Sequence, residues 1–202
     1  MGLWLYGSPL VLASGSAIRR AMLEAAGIPV EPIAAELDEC AVEARSGAVE
    51  PDAVAALLAR EKARKVAAEL PGRAVLGADQ ILAMNGRRFS KPGDRAAAGA
   101  QLLALSGRTH ELHCAAALVR DDAVLFEAID RPRLTMRAFS RAFLESYLDL
   151  AGAAVTASLG GYQVEGPGIQ LFERIEGDHF AILGLPLLAL LAFFRRAGWL
   201  AA

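Results

Sequence analysis

The run Leu10-Val11-Leu12-Ala13, followed at once by Ser14-Gly15-Ser16 and then by Ala17-Ile18-Arg19-Arg20, constrains the fold of this chain more than any other stretch. It reads as an apolar strand, a short Ser/Gly loop and a helix from Ala17 to about Ala26, stopped by Gly27 and Pro29. The loop exposes backbone N–H groups and hydroxyls toward one point. The helix N-terminus adds positive potential there, and the arginines add full charges. Such a site suits a polyanion, the phosphates of a nucleotide above all. An ordinary Ser-capped loop with surface arginines is the plain alternative.

The elements that follow keep alternating. A strand is expected at 30–34, then a polar stretch at 36–50. A long helix opened by Pro51 runs to Pro71-Gly72, with Val54, Leu57, Leu58 and Val66 at helical spacing. A strand at 74–78 precedes a hairpin, 81–84 and 87–89, turned by Asn85-Gly86. A helix at 94–105 leads to two strand-like runs, 110–119 and 123–137. Ser140 caps a helix to about Leu150, a Gly-rich segment covers 160–168, and a Pro-initiated helix runs from Pro186 to Arg196. Mixed helices and strands with hairpins give an α/β class with a mixed, curved sheet. A cleft between two lobes of one sheet fits better than two independent domains, so residues 1–202 read as a single domain.

Bulk properties narrow the partners. The net charge of −2 carries no nucleic-acid footprint, so a polyanion must be gripped by a few placed cations. The two cysteines, Cys40 and Cys114, lack CxxC spacing, which makes a structural disulfide improbable and fits a cytoplasmic protein. No signal peptide is expected. The longest apolar run, 182–194, is broken by Gly184 and Pro186 and is too short to span a bilayer, so no membrane partner is expected.

Polar residues on apolar elements mark the chemistry. Asp79 and Gln80 close an apolar strand, where α/β ligand sites form. Lys91 is followed by Pro92, which stiffens the backbone. Lys62 lies on the long helix, where a surface lysine is the default. Glu36, Asp38 and Glu39 form an acidic cluster that could hold a hard divalent ion near phosphate, or stand as a solvated loop. The histidines make no metal set: His110 and His113 point to opposite faces of a strand and His179 is remote in sequence. Covalent catalysis finds no support.

Taken together, Leu12-Ala13-Ser14-Gly15-Ser16 with Arg19-Arg20, Leu37-Asp38-Glu39, Glu61-Lys62-Ala63, Gly77-Ala78-Asp79, Lys91-Pro92, Ser106-Gly107-Arg108-Thr109-His110, Ile175-Glu176-Gly177-Asp178 and Gly184-Leu185-Pro186 resemble the Maf family of nucleoside triphosphate pyrophosphatases. The resemblance covers nearly the whole chain. It implies an elongated mixed sheet flanked by helices, with two lobes around a central cleft, as in inosine triphosphatase-like proteins. It also implies a cytoplasmic enzyme, often dimeric, so a homodimer stays open. The implied reaction cleaves the α–β phosphate bond of a nucleoside triphosphate with a divalent metal, Mg²⁺ or Mn²⁺. Asp79 then matches the proton acceptor, and Ser14, Ser16, Arg19, Lys62 and Lys91 match residues lining the triphosphate site. Glu36 matches a carboxylate at its edge that shares the metal with Asp79.

Ile18, Gln80 and Glu165 depart from the pyrimidine branch, which prefers dTTP and UTP and carries Arg, Thr and Gln there. Gln80 and Glu165 look more like the branch acting on 7-methyl-GTP, whereas Ile18 is less bulky than that branch's usual aromatic, and all three are expected to set base preference. A dTTP/UTP pyrophosphatase is the alternative. A nucleotide-binding regulator of septum formation with little turnover is the rival from another class.

Overall fold

The computed structural model describes residues 2–201. In chain order the elements are Leu10–Leu12 (β1), Ala17–Ala25 (α1), Val30–Pro32 (β2), Glu39–Ser46 (α2), Pro51–Ala67 (α3), Ala74–Met84 (β3), Arg87–Phe89 (β4), Arg95–Leu105 (α4), Thr109–Arg120 (β5), Ala123–Asp130 (β6), Arg133–Met136 (β7), Arg141–Ala151 (α5), Ala154–Ala157 (α6), Phe172–Glu176 (β8), His179–Ile182 (α7) and Leu187–Arg196 (α8). The expected α/β class is what forms: a mixed, eight-stranded sheet in the order β2-β1-β3-β5-β7-β8, with β4 on β3 and β6 on β5. β1 runs parallel to β2 and to β3, and the hairpin partners are antiparallel.

The chain divides into two compact units. The first holds the chain up to Gln80, Cys114–Asp130 and the part from Asp178 on; the second holds Ile81–His113 and Arg131–Gly177.

In the first unit β1 is buried on both faces, as a parallel strand covered by helices should be. Leu10 and Leu12 pack with Leu23, Leu76, Leu118, Leu190 and Phe194. Val11 and Ala13 pack on the other side with Ala63, Val66, Ala67 and Val75. Gly77 is the closest approach between strand and helix. A Cβ there would sit 2.0 Å from the Ala59 carbonyl oxygen and 2.8 Å from the Ala63 nitrogen, so α3 lies directly on β3.

In the second unit α4 and α5 pack through Gly99, against Leu144 and Leu148. Asp94 and Ser140 cap these helices by accepting from Ala97 N and Phe143 N. The Asn85-Gly86 turn has both residues at positive φ, 51° and 75°, as a tight two-residue hairpin requires.

Three expectations change. The polar stretch at 36–50 holds a helix, α2, which buries Val42 and is built by its caps: Asp38 accepts from Ala41 N and Gly47 adopts the left-handed conformation. The expected strand at 74–78 does not stop before Asp79. β3 runs on to Met84, because both polar side chains find partners on the faces where they emerge. The run 123–137 breaks at Arg131-Pro132 into β6 and β7, since proline brings no N–H to a ladder. The segment after Gly152 contributes α6, β8 and two short 3-10 turns that the sequence pattern left unassigned.

Candidate active site

Strand alternation decides which way each polar residue points. Val75, Gly77 and Asp79 share the face of β3 that meets α3; Gln80 emerges on the opposite face with Ala78. Because Gly77 lets α3 lie so close, Lys62 reaches Asp79 directly. Its Nζ donates to Asp79 Oδ1 at 2.6 Å. The same ammonium contacts Glu39 Oε1 at 2.7 Å. Asp79 and Lys62 are largely buried, while Glu39 is half exposed.

Burial raises the pKa of Asp79 above the ordinary carboxylate value, and the Lys62 and Arg19 charges oppose that rise. Removing a carboxylate from water penalises its charged form. The ammonium at hydrogen-bond distance restores part of it.

The Ser14–Arg19 loop stands as the sequence suggested. Ser16 caps α1 by accepting from Arg19 N at 3.4 Å, and Ser14 Oγ accepts from Ser16 N at 3.3 Å. Arg19 is fixed by three bonds. Nε donates to the Gly184 carbonyl at 2.7 Å, and Nη1 to the Ala78 carbonyl at 3.0 Å and to Ser14 Oγ at 3.2 Å. Its Nη2 has no hydrogen-bond partner among the described residues. Both serine hydroxyls serve as acceptors in these bonds, which leaves their hydrogens to donate to an anion. Gly184 has φ of 101°, and a Cβ there would meet the Arg19 guanidinium at 3.3 Å, so a glycine keeps this dock open. Arg20 turns away to an exposed pair with Glu24.

Gln80 Nε2 donates to the carbonyls of Ala181 and Ile182, at 2.9 and 3.1 Å. Its amide nitrogen is thus spent on holding α7, and only the carbonyl end is left to accept. Ile18 is half buried on the first turn of α1. Lys91 and Glu165 belong to the second unit and are exposed there.

Of the acidic cluster, Glu39 is the carboxylate brought to Lys62, as the first residue of α2. Glu36 is exposed and makes no hydrogen bond or ion pair among the described residues. The sequence carried a signal for Glu39, since it follows the N-cap Asp38, but only the helix reveals it. Among the described residues no group of three or more His, Cys, Asp or Glu is arranged to hold a metal. Asp79 and Glu39 oxygens both contact one ammonium nitrogen, so they lie close enough to face one cation. Two carboxylates suit Mg²⁺, which keeps its waters and completes its shell on substrate phosphates.

The fold and this site define an α/β protein with an arginine-bearing, hydroxyl-lined loop next to a buried, lysine-paired carboxylate. The family model for Maf-like proteins matches residues 9–197, and the chain belongs to that family. It is 54% identical over 200 residues to a nucleoside triphosphate pyrophosphatase of Nitrobacter winogradskyi, covering 99% of this chain and 98% of that protein. It is 50% identical over 191 residues to a 7-methyl-GTP pyrophosphatase of Mesorhizobium japonicum, covering 94% and 96%. Among solved structures, a dITP/XTP pyrophosphatase of Mycobacterium abscessus is 20% identical, with a TM-score of 0.44 over 94% of this chain and 95% of that one. Among the described residues no helix is long and apolar enough to cross a membrane.

Proposed function

We propose that this chain is a nucleoside triphosphate pyrophosphatase that cleaves the α–β phosphate bond and favours 7-methyl-GTP. The observation that carries the reaction is Asp79. It is buried, raised in pKa and held by Lys62, one residue from the carbonyl that docks Arg19. A raised pKa makes a carboxylate a stronger base. Asp79 takes a proton from water as its oxygen attacks the α-phosphorus. The bridging P–O bond breaks, and the electron pair leaves with pyrophosphate. Arg19 and Lys62 take up the charge that develops, with the Ser14 and Ser16 hydroxyls orienting phosphate oxygens. A divalent metal, Mg²⁺ or Mn²⁺, when bound, supplies further neutralisation of the phosphates; Asp79 would hold it with Glu39 or Glu36.

The base preference is supported by the Mesorhizobium japonicum relative and by Glu165. A carboxylate accepts two hydrogen bonds from the N1–H and amino group of guanine, and favours the positive charge of a 7-methylated ring. A homodimer and a cytoplasmic location belong to the same reading.

Product analysis over 7-methyl-GTP, GTP, dTTP and UTP tests it. Monophosphate and pyrophosphate are expected, fastest from 7-methyl-GTP and lost in excess EDTA. Diphosphate and phosphate as the main products would overturn the reaction. A preference for dTTP or UTP would overturn the base assignment alone.

A further inference from the structure

The second unit contains a buried polar pair that the reaction above does not use. His110 Nε2 lies 2.7 Å from the Tyr162 hydroxyl. Both residues are buried, and both rings contact Phe172. Burial lowers the His110 pKa to about 4, so the imidazole is neutral at physiological pH. A neutral imidazole has one N–H, and a phenol one O–H. His110 Nδ1 has no hydrogen-bond partner among the described residues.

The two tautomers are not equivalent. With the proton on Nε2, both the phenol hydrogen and the Nδ1 lone pair go unused. With the proton on Nδ1, Tyr162 donates to Nε2 and only the Nδ1–H is orphaned. The second arrangement leaves fewer groups unsatisfied and is the one expected. Either way the fold carries a buried unsatisfied group that an apolar pair would avoid. What it gains is a directed bond onto Tyr162.

Tyr162 opens the loop that carries Glu165, and that loop is pinned throughout. The Tyr147 hydroxyl donates to the Gly161 carbonyl at 3.0 Å. Gln163 Nε2 donates to Ser158 Oγ at 3.0 Å, and Gly166 N to the Gln163 carbonyl at 3.2 Å. A Cβ on Gly168 would sit 2.3 Å from the Gln163 oxygen, so the loop closes backbone on backbone. Glu165 stands on this closed loop, exposed, between pins on either side.

We propose that His110 and Tyr162 are positioning residues for base selection, their hydrogen bond fixing the loop that presents Glu165 to the nucleotide base. This rests on the reading of Glu165 as the residue that accepts from guanine. A charge-assisted hydrogen bond depends on distance and angle, so a Glu165 loosened at Tyr162 loses selectivity before it loses turnover.

The experiment measures kcat and KM for 7-methyl-GTP and UTP in wild type, Tyr162→Phe, Glu165→Gln and the double variant, with thermal melts of each. Glu165→Gln should lower the preference for 7-methyl-GTP about tenfold or more. Tyr162→Phe should lower it several-fold, through KM for 7-methyl-GTP, with UTP handling unchanged. In the double variant the Tyr162 change should add nothing further. His110→Leu should behave as Tyr162→Phe does, and His110→Gln, which can place an acceptor near the Nε2 position, should restore the preference. This second pair decides the matter if Tyr162→Phe does not fold. An equal loss on both substrates, or a lower melting temperature with the preference intact, would make the pair plain core and overturn the inference while Glu165 keeps its role. No change of preference in Glu165→Gln would overturn the reading of Glu165, and the inference with it.

Discussion

Replacing Lys62 by Met keeps the apolar stem of the side chain and removes the ammonium that Asp79 and Glu39 share. Glu39 is half exposed, so it rehydrates at little cost. Asp79 cannot. It must stay ionised without a partner, which costs several kcal/mol, or take up a proton. Protonating an ordinary carboxylate, with a pKa of about 3.9, costs about 4 kcal/mol at pH 7. The cheaper escape sets the ceiling, and the raised pKa of wild-type Asp79 lowers it, so the variant should lose less than about 4 kcal/mol at pH 7.

The pH dependence gives this loss a signature. Burial already raises the folded pKa of Asp79, and without Lys62 it rises further. The folded variant then holds a proton that the unfolded chain releases. Its stability is therefore fully present below the unfolded carboxylate pKa and is lost as pH rises above it. The deficit should shrink by about 1.4 kcal/mol per pH unit on acidification and level off once the pH falls to the raised pKa of wild-type Asp79, where both proteins hold the proton. Urea unfolding of metal-free wild type and variant from pH 4 to 7, in EDTA, measures it. Adding Asp79→Asn to Lys62→Met should recover most of the loss at pH 7. A deficit independent of pH, or no deficit at pH 7, would refute the pairing as the means by which Asp79 is kept charged.

Asp79→Asn alone should fold and lower turnover by roughly 10²-fold or more, read as pyrophosphate release, because a general base is gone while volume is kept. Gly77→Ala should destabilise by about 3 kcal/mol or more in denaturant titration, since its Cβ meets backbone of α3 that cannot rotate aside. The triple change Ile18→Arg, Gln80→Thr and Glu165→Gln should move kcat/KM from 7-methyl-GTP toward dTTP and UTP. An unchanged ranking in an active protein would mean that these residues do not read the base.

The sequence by itself determined the elements whose signals are local. The β1–α1 step, α3, the Asn85-Gly86 hairpin, α4, α5 and α8 each rest on apolar periodicity, a capping residue or a turn dipeptide, and none needs a distant partner to be recognised. The Ser14, Ser16 and Arg19 cluster was legible for the same reason, being contiguous on one loop and one helix turn. What tertiary structure decided is what polar residues become when another element reaches them. Asp79 and Gln80 looked like the end of a strand. They continue it because Lys62 arrives from α3 on one face and the Ala181 and Ile182 carbonyls from α7 on the other. Glu39 could not be told from Glu36 or Asp38 until α2 formed and set its carboxylate on Lys62. Likewise His110 and Tyr162 stand far apart in the chain, and only the packing of the second unit joins them. Charge and hydrogen bonding act through space at a few ångströms, and the pairing of strands and helices that brings such groups together is not written in any one segment.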